Sequence, residues 1–149
     1  MSRGDFHVVD PMDGSTPIAT KYRVASGAAA SIKAGEWVVQ DTENVKLAVN
    51  GQSNTVNWIG VAATDSNDTT TAKGNVWIFD NPQYIFRGAV TTSGNLAETV
   101  RNTDVTLDIA SSVQTIDEDD TTNGTLRIVD YNADAGTADV RMSDSMFLK

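Results

Sequence analysis

Apolar and polar residues alternate with a period of two in several short stretches of this chain. In Val105–Ile109 and Ala138–Met142, the apolar residues take one set of alternate positions and the polar residues take the other. Val45–Val49 has apolar residues at its odd positions. Because strand side chains point alternately to opposite faces, this pattern predicts half-buried β-strands with one face against a core.

A denser kind of strand is predicted where apolar residues occupy both sets of positions. Two such blocks, Val76–Phe79 and Tyr84–Phe86, are separated by the turn signal Asn81-Pro82. A strand that is apolar on both faces must be covered on both, by its own core and by another subunit if the core covers only one. Further candidates of this dense kind are Glu36–Gln40, Asn57–Thr64 and Thr125–Tyr131.

Turn residues separate these segments at short intervals. Asn50-Gly51 and Asn123-Gly124 favour positive φ, which tight hairpin turns require. Strand signals spaced so closely predict an all-β fold, a single-domain β-barrel or sandwich rather than βαβ units. Ser93–Val100 has a helical pattern, with Leu96 and Val100 four residues apart, so at most one short helix is expected. No internal repeat is evident.

The first 20 residues differ from the rest and predict an extended N-terminal arm (1–20) before the β domain (21–149). Pro11, Gly14 and Pro17 interrupt this segment, so its apolar residues are expected in an exposed arm or an edge strand. The C-terminus carries a second apolar tip. Apolar termini usually fold back on their own domain, and the alternative is that these two ends dock onto a partner. The candidate residues for such a contact are Phe6, Val8, Val9, Pro11, Ile18, Met146, Phe147 and Leu148.

The composition bounds the class of protein. A chain of 149 residues with 40% apolar residues can form one domain with its own core. It has no apolar run long enough to cross a membrane, no secretory signal and no cysteine, which fits synthesis in a reducing cytoplasm. The net charge of −9 argues against binding nucleic acid through its phosphates. It is typical of a soluble surface, and it is also compatible with a basic partner.

Candidate catalytic and metal-binding residues are few. His7 is the only histidine and lies in the irregular arm, so it is expected to be an ordinary exposed residue. Asp130–Gly136 begins like a calcium loop, but Arg141 stands where the closing glutamate belongs, which favours a hairpin loop. Asp117–Asp120 is expected to be a solvated loop. We therefore predict no enzyme, no catalytic residue, no metal site and no cofactor.

Aromatic residues leave one alternative open. A row of exposed tryptophans would form a stacking platform for a sugar or an aromatic anchor for a protein. Aromatic residues within dense apolar strands are more often part of the core. The residues concerned are Tyr22, Trp37, Trp58, Trp77, Tyr84 and Phe86.

Three segments together resemble a known family. Ser31–Val38 (SIKAGEWV), Trp58–Ala63 (WIGVAA) and Gly74–Phe79 (GNVWIF) are similar to the strands of the small β-barrel head decoration (cement) proteins of tailed bacteriophages. The resemblance covers residues 24 to 90 approximately. It implies a non-enzymatic virion protein, made in the host cytoplasm, that binds the capsid exterior and stabilises the shell.

The same resemblance implies the partners. Such proteins commonly act as homotrimers bound to the major capsid protein, and neither nucleic acid nor a membrane is expected as a partner. A clamp that binds only the assembled lattice stabilises it by mass action, and a trimer adds avidity. The alternative function is a carbohydrate- or receptor-binding module of a phage tail or fibre.

Overall fold

A computed structural model describes residues 6–10, 16–25, 31–67 and 74–146. These residues form eleven β-strands and three short 3-10 turns, at Ser93–Asn95, Glu98–Val100 and Asp144–Met146. The strands are β1 (His7–Asp10), β2 (Thr20–Arg23), β3 (Trp37–Asp41), β4 (Asn44–Leu47), β5 (Trp58–Ala62), β6 (Asn75–Phe79), β7 (Ile85–Ala89), β8 (Asp104–Ala110), β9 (Val113–Asp117), β10 (Leu126–Asn132) and β11 (Thr137–Met142). Within the described ranges, no helix has the length and apolarity needed to cross a membrane.

The strands form two antiparallel sheets, which confirms the prediction of an all-β, single-domain fold. One sheet has five strands in the order β2-β6-β5-β3-β4, and the other has six in the order β1-β7-β11-β10-β8-β9. The helical segment expected at 93–100 consists of two 3-10 turns. The sequence from 7 to 10 is an edge strand, one of the two outcomes expected for the arm.

Both sheets curl, so that strands distant in the sheet order meet at one end. Val24, just after β2, forms a parallel bridge with Val45 of β4, and the Ala25 N–H donates to the Val45 carbonyl at 2.8 Å. Val90, just after β7, forms a parallel bridge with Ile116 of β9. The fold is therefore a sandwich of two curled, partly barrel-like sheets.

The two sheets repeat one topology, which the sequence did not reveal. We define the first unit as residues 20–79 (β2–β6) and the second as residues 85–142 (β7–β11). Numbered within each unit, the strand order is 1-5-4-2-3 in both, and the parallel bridge joins strands 1 and 3 in both. β1 lies outside this repeat, as an addition to the first strand of the second unit.

Hydrogen bonds at equivalent places support the repeat. In the first unit, the Val24 N–H donates to the Gly74 carbonyl at 3.0 Å; in the second, the Val90 N–H donates to the Gly136 carbonyl at 3.1 Å. Both glycines have a positive φ, of 70° and 66°. The backbone geometry is thus repeated at the entry to the fifth strand.

A second pair of equivalent bonds lies before the second strand. The Gly35 N–H donates to the Ala62 carbonyl at 2.8 Å, and the Asn102 N–H donates to the Ile128 carbonyl at 2.7 Å. Gly35 and Asn102 both have a positive φ, of 86° and 63°. Because glycine and asparagine are the residues that adopt this conformation most readily, different residues serve the same turn.

Two apolar clusters form the core. The larger lies between the sheets and contains residues of both, with Trp37 packed edge-to-face on Phe86 at 5.1 Å between ring centroids. The smaller lies inside the curl of the five-stranded sheet and includes Ile32, Val38 and Ile78. The five-stranded sheet is therefore packed on both faces, as its dense apolar strands predict.

The alternation predicted for individual strands holds to different extents. In Ala138–Met142 the apolar residues are buried and the polar ones half-buried, as expected. In β8 the polar face is interrupted, because Thr106 is fully buried and its hydroxyl donates to the Gln52 carbonyl at 3.5 Å. β4 ends at Leu47, so Val49, expected on an inward face, is exposed.

Two of the predicted turns join strands that are not hairpin partners. Asn50-Gly51 leads from β4 to β5 and Asn123-Gly124 from β9 to β10, and neither pair of strands is adjacent in its sheet. The two-residue hairpin turns occur instead at Thr42-Glu43 and Ser111-Ser112. The loop of Asn and Asp residues between β10 and β11 is the hairpin connection that was predicted.

Candidate functional site

The residues predicted to contact a partner lie in three different settings. Phe6 is buried, with its ring edge-to-face on Trp37 and against Gly88, and its N–H donates to the Gly35 carbonyl at 3.1 Å. Met146 is buried in the same core cluster. Both side chains are thus used within this chain, so the exposure expected of Phe6 is not observed.

The other described residues of this set are more accessible. Val8 is half-buried and packs against the core, Val9 is 37% exposed, and Ile18 is 71% exposed. The Ile18 N–H donates to the Tyr84 hydroxyl at 3.0 Å, which fixes the backbone while the side chain faces outward. Pro11, Phe147 and Leu148 lie outside the described residues.

The edge strand β1 positions this region. β1 pairs antiparallel with β7, with His7 opposite Arg87 and Val8 opposite Phe86, and a register shift follows before Asp10. Gly88 makes the attachment possible, because a Cβ there would overlap the ring of Phe6. Phe6 therefore anchors the arm by filling the space above a glycine, a relation that neither residue reveals alone in the sequence.

The aromatic residues divide as expected between core and surface. Trp37, Trp58, Tyr84 and Phe86 are buried. Trp77 is 46% exposed, on the face of β6 where it is paired with Lys21 of β2. A row of exposed tryptophans is therefore not formed, and a single indole face remains accessible.

A shallow cavity of 180 Å³ lies beside the C-terminal end of the described chain. Its lining is mostly apolar, with one carboxylate, and consists of Tyr22, Trp58, Ile59, Asp80, Pro82, Met142 and Met146. Asp80 accepts hydrogen bonds from the Tyr22 hydroxyl at 2.7 Å and the Thr20 hydroxyl at 3.2 Å. Burial and this bonded carboxylate raise the pKa of Tyr22 to about 12, so the phenol stays protonated.

The candidate calcium loop is occupied by protein contacts. The Asp130 carboxylate forms an ion pair with Arg101 at 2.9 Å and accepts the Tyr131 N–H at 2.9 Å. The Asn132 side chain accepts the Ala135 N–H at 3.0 Å, as expected for a turn. Among the described residues there is no group of three or more histidine, cysteine or carboxylate side chains placed to hold a metal ion.

The acidic segment at 117–120 is more buried and more hydrogen-bonded than the solvated loop that was expected. Glu118 is buried, and its carboxylate accepts hydrogen bonds from the Thr92 N–H at 3.3 Å and the Asn95 side-chain amide at 2.9 Å. Burial, followed by the hydrogen bond and charge of Asp119, raises the pKa of Asp117 to about 6. Glu118 thus ties the end of β9 to the segment that follows β7, a role that the charge pattern concealed.

Ion pairs on the second unit neutralise part of its acidity. Arg87 and Asp139 face each other on β7 and β11 and form two hydrogen bonds, at 2.7 and 2.9 Å. Arg127 bridges Asp104 at 2.8 Å and Asp144 at 3.1 Å. On the first unit, Lys21 and Arg23 extend from β2 as exposed side chains. The described surface therefore has a cationic strand in an acidic molecule.

Comparison of the chain with protein families, with curated proteins and with solved structures gave no match.

Proposed function

We propose that this chain is a non-enzymatic structural protein of a bacteriophage virion. It binds the outer surface of the assembled capsid and stabilises the shell, acting as a homotrimer whose partner is the major capsid protein. The proposal places the protein on the capsid exterior after its synthesis in the host cytoplasm, and it involves no catalysis and no cofactor.

The observation that carries the proposal is the placement of the resembling segments. SIKAGEWV enters β3, WIGVAA contains β5 and GNVWIF contains β6. These strands are consecutive neighbours in the five-stranded sheet, in the order β6-β5-β3. Segments separated in sequence thus form one continuous part of the fold, as expected if the resemblance reflects a shared architecture.

Exposed apolar residues supply a means of attachment. Val9, Ile18, Val49 and Trp77 are the large apolar side chains that remain exposed within the described ranges. Val9 and Ile18 belong to the N-terminal region, which is predicted to reach a neighbouring subunit. A protein that attaches through such side chains only to an assembled lattice shifts the equilibrium toward assembly.

The test combines oligomeric state with capsid binding. Light scattering on the purified protein should give the mass of a trimer, and the protein should co-sediment with expanded, undecorated heads of the phage that carries it. Ile18→Asp should weaken co-sedimentation at least tenfold, because it places a charge in an apolar contact. Ala110→Asp, an equal charge change at the exposed end of β8, is the matched control.

The proposal fails if the protein is monomeric and does not bind such heads. It also fails if Ile18→Asp and Ala110→Asp reduce binding equally, because that result would indicate a general charge effect.

One observation favours the alternative, a carbohydrate- or receptor-binding module. The exposed indole of Trp77, next to Lys21, is a surface on which a sugar ring could stack. This function predicts hits on a glycan array that Trp77→Ala removes and Ile18→Asp leaves intact. An array without hits would exclude it.

A further inference from the structure

We propose that the outer edge of β2 is a docking site for an extended acidic segment of a partner protein, which adds there as an antiparallel strand. The inference comes from the internal repeat and does not depend on the capsid assignment. In the second unit the equivalent edge is already occupied by β1. In the first unit no strand among the described residues pairs with this side of Thr20–Arg23, and β4 meets β2 only at the Val24 bridge that follows.

The equivalence of the two edges follows from strand register. In the first unit, Lys21 of β2 lies opposite Trp77 of β6. In the second unit, Arg87 of β7 lies opposite Asp139 of β11. Counted back from the equivalent bridge residues Val24 and Val90, Lys21 and Arg87 are both three positions earlier. Lys21 is therefore the counterpart of Arg87, the residue that β1 pairs with through His7.

The backbone of β2 presents hydrogen-bonding groups at this edge. The Val24 N–H points to β6, where it donates to the Gly74 carbonyl, and the Ala25 N–H points the other way, to the Val45 carbonyl. Because backbone groups of successive strand residues point to opposite sides, the N–H and C=O of Lys21 and the N–H of Arg23 point away from β6. These groups have no strand partner among the residues that the structure describes, and an unpaired strand edge is a template for strand addition.

Lys21 and Arg23 determine the chemistry of the occupant. Both side chains are exposed, and because they are two residues apart they lie on one face of β2. A second copy that paired through the same edge would bring these cations against their own equivalents, which is destabilising for directly opposed charges. A strand with carboxylates on that face would form cross-strand ion pairs instead, so we infer an acidic partner segment.

The rest of β2 is held in a shape suited to this role. The hydroxyls of Thr20 and Tyr22 both donate to the Asp80 carboxylate, which fixes β2 from its other face. Backbone hydrogen bonds to β6 hold β2 along Thr20–Arg23, and the bridge to β4 holds its end at Val24. The edge is therefore preorganised, so only the docking segment loses conformational entropy on binding.

The first experiment measures amide hydrogen exchange by NMR in the free protein. The amides of Lys21 and Arg23 should exchange rapidly, while that of Tyr22, which is bonded to β6, should be protected. The Arg87 amide is the internal control, since β1 covers it and it should be protected. Protection of Lys21 equal to that of Arg87 would show that the edge is covered and would overturn the proposal.

The second experiment adds a synthetic, end-blocked peptide of alternating valine and aspartate. Its binding should slow exchange at Lys21 by at least tenfold, and a matched peptide of alternating valine and lysine should have no effect. Equal binding of the two peptides, or absence of protection at Lys21, would contradict the proposal. Light scattering during the titration distinguishes self-association: protection that rises with protein concentration alone would assign the edge to a second copy and refute it.

Lys21→Pro tests the backbone contact. Proline removes the outward-pointing N–H, while the bonds from β2 to β6 come from the alternate residues and are retained. Loss of one such bond should weaken peptide binding by about fivefold or more. Continued protection of the Tyr22 amide shows that the variant is folded.

Charge reversal tests the side chains independently. Lys21→Glu combined with Arg23→Glu should exchange the preference, so that the lysine peptide binds and the aspartate peptide does not. An unchanged preference in this variant would show that the edge does not select acidic segments.

Discussion

Gln114 supplies a buried polar contact between the two sheets. Gln114 lies on β9 and hydrogen-bonds to the backbone of Trp37. Its side-chain oxygen accepts the Trp37 backbone N–H at 2.7 Å, and its side-chain amide donates to the Trp37 carbonyl at 3.2 Å. The Trp37 carbonyl also accepts from the Ala48 N–H at 3.0 Å. The Gln114 side chain thus bonds to both backbone groups of Trp37, as a neighbouring strand would, and links β3 to the opposite sheet.

Gln114→Leu should lower the free energy of unfolding by about 1 to 3 kcal/mol, the cost of leaving a buried N–H without a partner. Chemical denaturation at neutral pH measures the change. Gln83→Leu, the same substitution at an exposed turn residue, is the control and should alter stability by less than about 0.5 kcal/mol. Equal effects of the two substitutions would show that the contact with Trp37 is not stabilising.

Asp117 should make the protein more stable in mild acid. Its pKa rises from 3.8 to about 6 in the folded protein, first by burial and then by its acidic neighbours, so the folded state binds this proton more tightly. Stability therefore increases as the pH falls from about 6 toward 4, and this contribution is lost above the folded pKa.

Asp117→Asn should remove that part of the pH dependence and raise stability at pH 7, where the parent carries a repelled carboxylate. The measurement is the free energy of unfolding of both proteins at pH 7 and pH 5. Asp134→Asn, a charge loss at an exposed residue of the β10–β11 turn, is the control and should leave the pH dependence unchanged. The assignment would be contradicted if the parent protein were less stable at pH 5 than at pH 7 and Asp117→Asn abolished that difference.

At the scale of elements, individual strands were predictable and their partners were not. Alternation located β8 and β11, and the dense apolar blocks located β6 and β7, because side-chain periodicity is a local property. β6 and β7 nevertheless belong to different sheets. Pairing depends on contacts between distant residues, and the turn between these two strands carries no information about it.

The Ser111-Ser112 hairpin turn has a backbone conformation that its residue types do not predict. Both serines have a positive φ, of 51° and 65°, as in a two-residue turn that normally contains Asn-Gly. Replacing the pair by Asn-Gly should raise the free energy of unfolding by about 1 kcal/mol, since a left-handed conformation is costly for serine. Thermal and chemical denaturation would measure the gain.

The control for this change is the β3–β4 hairpin, where Thr42 has a positive φ and Glu43 does not. Glu43→Gly should destabilise the protein by about 0.5 to 1 kcal/mol, because glycine then only adds freedom to the unfolded chain. If glycine stabilised both hairpins equally, the effect would not come from backbone conformation.

At the scale of the whole molecule, the repeat was hidden because equivalent positions share geometry and not residue type. Gly35 corresponds to Asn102, and the Lys21–Trp77 pair corresponds to the ion pair of Arg87 and Asp139. The arm was only partly predictable for a similar reason. Its proline and glycine residues indicated an irregular segment. Burial of Phe6, however, depends on space left by Gly88, which is 82 positions away in the chain.

The two units should unfold together, although each has a complete set of five strands. The larger core cluster contains residues of both, and the β4–β5 loop adds polar ties to β8: the Gly51 N–H donates to the Leu107 carbonyl at 2.9 Å, and the Asn50 side chain accepts the Ile109 N–H at 2.7 Å. All three tryptophans lie in the first unit and Trp37 also contacts Phe86 of the second, so tryptophan fluorescence follows the first unit and its contact with the second. Far-UV circular dichroism follows the strands of both.

We therefore expect the denaturation curves from fluorescence and from circular dichroism to coincide. Trp37→Ala should lower the free energy of unfolding obtained from each curve by the same amount, about 3 to 5 kcal/mol. The reason is that it removes a fully buried ring that contacts both sheets. Trp77→Ala, at the exposed indole, is the matched control and should shift neither curve appreciably. A second transition seen only by circular dichroism would mean that residues 85–142 fold without the first unit, and that the shared core does not couple them.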